Sequence, residues 1–171
     1  MIIHVQSVKY HLCLALLACL SIPGVMAQTA APTTSPDIYA MAVRAAAEEK
    51  ARAYSKLKGY DLFNLVFRKG STTDRLPAEI GHFHLTVLDY NGLRDRYRDH
   101  GTFAVSEVFP ARIDGTGLRV NITDSWYSYR NGFIFHRGSH MFAEEGGAEV
   151  FFRYDCEKQG FVVDHVSLWG I

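Results

Sequence analysis

Cysteine is nearly absent from this chain. It holds three, and Cys13 and Cys19 both fall within the first 27 residues. Cys156 stands alone in the remainder, so no internal disulfide framework can staple the fold. Net charge is missing as well: 18 Lys and Arg stand against 18 Asp and Glu. Without a basic excess the chain carries no electrostatic footprint for nucleic acid. No apolar run reaches the ~20 residues a membrane-spanning helix needs. The Gly-rich phosphate loop, the G-x-S-x-G elbow, the H-E-x-x-H pair, the C-x-x-C pair and the EF-hand loop are all absent. The common nucleotide-binding, serine-hydrolase and zinc-protease readings therefore lose their usual support. There is no internal repeat, and 48% apolar with 21% charged residues excludes a disordered tail, a collagen and a coiled coil.

What is present begins with an export pattern. Lys9 is the only charged residue in the first 27, and Leu12–Ile22 is almost wholly apolar. Pro23 and Gly24 end that run, and Val25 and Ala27 supply small residues before Gln28. This is the three-part layout of a signal peptide. We expect residues 1–27 to be removed and the protein to be periplasmic or secreted. The alternative is a lipoprotein anchored at Cys19, since Leu16-Leu17-Ala18-Cys19 resembles a lipobox. Cleavage after Ala27 leaves 144 residues with a net charge of −1. A domain of that size buries about 68–70% of its unfolded surface and folds without staples.

Residues 28–36 read as a flexible leader and 37–171 as a single α+β domain. Ser35 as cap and Pro36 at the first helical position predict a helix from Asp37 to Lys58, closed by Gly59. Ile38, Met41, Ala45, Tyr54 and Leu57 can share its apolar face, and its alanines permit close approach to a sheet. Beyond Gly59 the period changes. Strands are expected at 60–68, 80–90, 103–113, 118–129, 148–154 and 161–169, with a short helix at 93–100. Asn131-Gly132 predicts a tight hairpin setting Tyr129 near Phe133 or Ile134 and Tyr127 near Phe135 or His136. Glu145-Gly146-Gly147 reads as a further turn. In the last strand, strict alternation puts Phe161 and Val163 on one face and Val162, Val166 and Leu168 on the other.

These elements predict a long N-terminal helix packed on a curved antiparallel meander sheet of about six or seven strands. Their order is similar to that of NTF2-like or cystatin-like domains. A lipocalin-like closed barrel is the alternative.

Three constellations are candidates for chemistry. His82 and His84 form an H-x-H pair of the kind that metal sites use on a strand. Asp124, Trp126, Tyr127, Tyr129, His136 and Arg137, with His84, could line one ligand-binding face. Cys156, between Asp155 and Glu157, is in the wrong electrostatic setting for a nucleophile. The leading expectation is an exported binding or inhibitor-type module that recognises a protein or small ligand through its aromatic-rich sheet face. The alternatives are a small NTF2-like enzyme with His, Asp and Tyr acid–base groups in a helix–sheet pocket, or a metal site at His82 and His84. A homodimer through the second apolar face of the last strand is a further expectation. No cofactor, membrane span or nucleic-acid partner is implied.

Overall fold

The structure is a computed structural model that describes residues 37–55, 62–131 and 138–170. Residues 1–36, with Cys19, Ser35 and Pro36, lie outside them, as do Leu57, Lys58, Gly59, His136 and Arg137.

The first helix, α1, runs Ile38–Tyr54. Its cap is Asp37, not Ser35, and the Asp37 carboxylate accepts from the Tyr39 N–H at 2.9 Å. Arg44 and Glu48, one turn apart, pair at 2.8 Å on the outer surface. The buried face is Ala42, Val43, Ala46 and Ala47, a rotation from the expected face toward the smallest side chains. Small residues let the helix axis come close to the sheet, and α1 touches three of its strands.

β1 (Asn64–Arg68) is followed by a loop in which Thr72 and Thr73 are buried. The Thr72 hydroxyl donates to the Val108 carbonyl at 2.6 Å, tying this loop to the fold. β2 (Glu79–Ile80) and β3 (Phe83–Leu88) form a tight hairpin around Gly81, whose φ is +64°. The expected single strand over 80–90 is thus two, because Gly81 adopts a backbone conformation that favours a turn. α2 (Tyr90–His100) is capped by Asp89 and ends at Gly101, with φ +75°. β4 (Phe103–Val108) and β5 (Arg112–Asp114) follow, then three long strands: β6 (Gly117–Asn131), β7 (Gly138–Asp155) and β8 (Gly160–Trp169).

The strands form one open mixed sheet in the order β2-β3-β1-β4-β6-β7-β8, with β5 on β6. The fold is α+β, as expected, but the sheet is not a simple antiparallel meander. β1 lies between β3 and β4 and is parallel to both. Parallel neighbours need a crossover, and α2 carries the chain from β3 past β1 to β4. β2 and β8 are separate edges, so the barrel alternative falls.

Two β-bulges correct the expected side-chain pattern. In β7 the register against β6 shifts at Glu145, where a turn was expected. The strand continues because Gly146 and Gly147 serve strand contact. A Cβ at Gly146 would lie 2.6 Å from the Trp169 carbonyl oxygen, and one at Gly147 would press on the Ile122 carbonyl and the Trp169 indole. In β8 the register shifts at Asp164. That extra residue puts Phe161, Val163, Val166 and Leu168 all against the core under α1. The second apolar face inferred from strict alternation is therefore absent, and with it the basis for a homodimer there.

The β6–β7 hairpin differs too. Asn131 pairs with Gly138, so Tyr129 sits opposite His140 and Tyr127 opposite Phe142. The residues expected to form the turn, 132–137, lie outside the described residues.

The sheet carries apolar side chains on both sides. Phe67, Phe83, Val120, Ile122, Val150 and Phe152 join α1 in the larger core. Val66, Leu93, Val105 and Tyr127 form a smaller one, with Tyr97 of α2 packed against it.

Candidate functional site

The helix–sheet contact leaves a cavity of about 350 Å³ between α1 and β1, β4, β6 and β7. Its apolar wall comes from the alanine face of α1 and from the sheet. Val43, Ala46 and Ala47 face Leu65, Phe67 and Ile122 across it. Ligand sites of this kind are mostly apolar, with a few converging polar groups.

Here the polar groups converge on Asp124. In β6, Val120 and Ile122 point into the core, and Asp124 is the next residue on the same face. Its side chain keeps 24% exposure, against 15% for Lys50 of α1, and the two pair at 2.5 Å. The other carboxylate oxygen accepts from the Ser106 hydroxyl of β4 at 2.6 Å. Tyr54 lines the same cavity. Burial, and then the Asp124 charge, raise its phenol above the ordinary value, so it stays protonated. The cavity thus offers a neutralised ion pair, a hydroxyl and a phenol at one place on an apolar wall.

Comparison of the chain with protein-family models, with curated proteins and with solved structures finds no match.

Of the candidate ligand and metal residues named from the sequence, Asp124 is the one among the described residues that lines this cavity. Tyr127 sits on the opposite face of β6, fully buried beneath α2. Its hydroxyl is 2.6 Å from His140 Nδ1, with Phe103 and Phe142 packed around it. Tyr129 is on the same side and meets the His140 ring edge-on at 5.1 Å. Trp126 lies on the Asp124 side of β6, opposite Ala104 and Ala143. The aromatic run is therefore split between two faces by strand alternation, and its central tyrosine is core. His136 and Arg137 lie outside the described residues.

His84 is exposed on β3, with Nδ1 3.2 Å from Glu79. His82 lies in the turn before β3, its ring 4.1 Å from that of Phe83. Among the described residues no group of three His, Cys, Asp or Glu is placed to hold a metal ion. Cys156 is exposed in the turn between β7 and β8.

Lys50 and Ser106 were not singled out from sequence, and Tyr54 was placed only on the apolar face of the helix. A faint signal existed for Lys50 and Tyr54: Val43, Ala47, Lys50 and Tyr54 recur at helical spacing, so a lysine interrupts the buried stripe.

Proposed function

We propose that this protein is an exported small-ligand-binding module of NTF2-like shape, with the cavity between α1 and the sheet as its site. Its ligand is a compact, neutral, largely apolar molecule with a hydroxyl or carbonyl end. The carrying observation is the Lys50–Asp124–Ser106 cluster on an apolar wall. The ion pair is already balanced, so a charged ligand group would be desolvated without a free counter-charge. A hydroxyl can donate to Asp124, and a carbonyl can accept from Lys50 or Tyr54. Export rests on the signal-peptide pattern of residues 1–27. Among the described residues, no helix is long and apolar enough to cross a membrane.

A second reading follows from Tyr54. A protonated phenol close to an ionised carboxylate is an acid–base pair in outline, so the same site could serve a small enzyme. The two readings diverge on turnover. The bound molecule would leave unchanged from a binding module and altered from an enzyme.

Native mass spectrometry of the exported protein is the first test. The expected spectrum shows a mature chain beginning at Gln28 and carrying one small neutral adduct. A diacylated Cys19 would overturn the soluble form of the reading. Titration with the neutral fluorophore N-phenylnaphthylamine tests the cavity itself. Saturable binding that is lost in Ala47→Phe and kept in Tyr127→Phe supports it, and equal binding by both variants refutes it.

A further inference from the structure

β8 ends the sheet. Among the described residues β7 is its only strand neighbour, so its outer side presents backbone N–H and C=O groups with no ladder partner there. The opposite edge, β2, has two residues, whereas β8 has ten. Folds blunt such edges with lysine, proline or a short strand, and Gly160–Trp169 holds neither residue. The apolar side chains that β8 turns toward α1 are left half-covered. Ala148, Val150 and Phe152 of β7 are no more than 2% exposed. Their β8 partners Leu168, Val166 and Val163 are only partly buried.

The bulge decides what can complete this edge. In a regular strand Val163 and Val166 would fall on opposite faces. Asp164 is the extra residue, so both face the core, as do Phe161 and Leu168. The strand therefore reads alike from either end. Phe161 and Val163 precede the bulge, Val166 and Leu168 follow it, and Val162 and Ser167 take the other face. A half-turn about the bulge sets Val163 opposite Val166 of a second copy, Phe161 opposite Leu168, and Val162 opposite Ser167. The apolar rows then continue on one face across the join. At the centre, the Asp164 of each copy meets the His165 of the other. Within one chain Asp164 lies 2.9 Å from His165 Nδ1 and 3.6 Å from Arg153, and at 47% exposure it has room for a further partner.

A regular strand from another protein would keep register on one side of Asp164 only, because the extra residue would be left over. A second β8 brings the same extra residue to the same point. We propose that β8 pairs with the β8 of a second copy, antiparallel about a two-fold axis at Asp164 and His165, so that two sheets become one. The contact is isologous, and it uses the edge of the strand, not a second apolar face.

Sedimentation equilibrium of the exported protein over a concentration series tests this, and a monomer–dimer equilibrium is expected. Asp164→Lys changes an exposed residue and sets a lysine against His165 across the axis. It should weaken dimerisation tenfold or more while the dilute monomer keeps its melting temperature. Adding His165→Asp restores opposite charges with the signs exchanged and should recover the dimer. A charge with no role across the axis would not be rescued in this way. The register is read by Val162→Cys with Ser167→Cys in a Cys156→Ser chain. Along one strand the two thiols are ~16 Å apart, beyond the reach of a disulfide. Mild oxidation should therefore give a covalent dimer linked from 162 to 167. A monomer at every concentration, a dimer indifferent to Asp164→Lys, a charge exchange that fails to rescue, or no 162-to-167 link overturns the proposal.

Discussion

The Lys50 ammonium lies 2.5 Å from the Asp124 carboxylate, joining the C-terminal half of α1 to the middle of β6. This contact links the helix to the sheet where their apolar surfaces part to leave a cavity. Both charges keep some water, so the pair is neither a surface bridge nor a dry one.

Removal of one partner should be costly. Lys50→Met removes the ammonium paired with Asp124, and we expect a loss of about 2 kcal/mol, below the ~3–5 kcal/mol of a fully buried pair. Lys50→Met combined with Asp124→Leu should recover most of that. Urea unfolding of the two single variants and the double variant measures the coupling. Additive losses would refute a direct interaction.

Tyr127 gives a second expectation. Its ring is fully buried and its hydroxyl meets His140 Nδ1 at 2.6 Å. Tyr127→Phe keeps the packing and leaves the imidazole without that partner, at a cost of about 1–3 kcal/mol. Chemical denaturation reads it. A loss below the error of the measurement would mean that water replaces the phenol freely.

The same imidazole should make stability depend on pH. Burial, and then the Arg94 charge, lower the His140 pKa from its ordinary 6.5. The folded protein therefore binds a proton at His140 less readily than the unfolded chain. Its contribution is complete above 6.5 and is lost as pH falls from there toward the lower folded value. Asp155, whose carboxylate accepts from the Lys158 N–H, has its pKa lowered from 3.8, so its loss occurs in a separate, more acid window. Unfolding midpoints measured across the mildly acid range should fall in the wild type and flatten in His140→Gln. Parallel curves for the two proteins would exclude His140 as the source.

Two glycines should respond very differently. At Gly147 a Cβ meets the Ile122 carbonyl and the Trp169 indole, so Gly147→Ala should cost about 2–3 kcal/mol. At Gly70 nothing lies within 4 Å of the added carbon. Gly70→Ala should change stability by no more than about 0.5 kcal/mol in either direction. Thermal melts of the two variants side by side check the bulge geometry around Glu145.

Much of the local structure was legible. Phe83 and Leu85 turn inward and His84 and Thr86 outward, as a period of two requires. Leu93 and Tyr97 are the residues that α2 shows to the core. The alanines of α1 do mark its approach to the sheet. The errors arose where one residue shifts the pattern. Val166 and Leu168 appeared to share a face with Val162 because nothing in the spelling marks Asp164 as an extra residue. A bulge is a property of two paired strands, and one strand's sequence does not show its partner's register. The same holds at Glu145, where two glycines fit either a turn or a close strand contact.

The candidate site divides along the same line. Asp124 was named with the aromatic and polar run that follows it, and the structure places it in the cavity. Tyr127 and Tyr129 stood out as aromatics, and the structure puts them on the other face, since alternate residues of a strand point to opposite sides.

Local sequence by itself determined the composition class, the two helices, the location of most strands and the inward residues of a bulge-free strand such as β3. Those features follow from periodicity and turn chemistry over a few neighbouring residues. Tertiary structure decided that β1 lies parallel between β3 and β4 and that Lys50 meets Asp124 across the cavity. Each depends on which distant segments pair and in what register, a choice made by the burial of whole faces together.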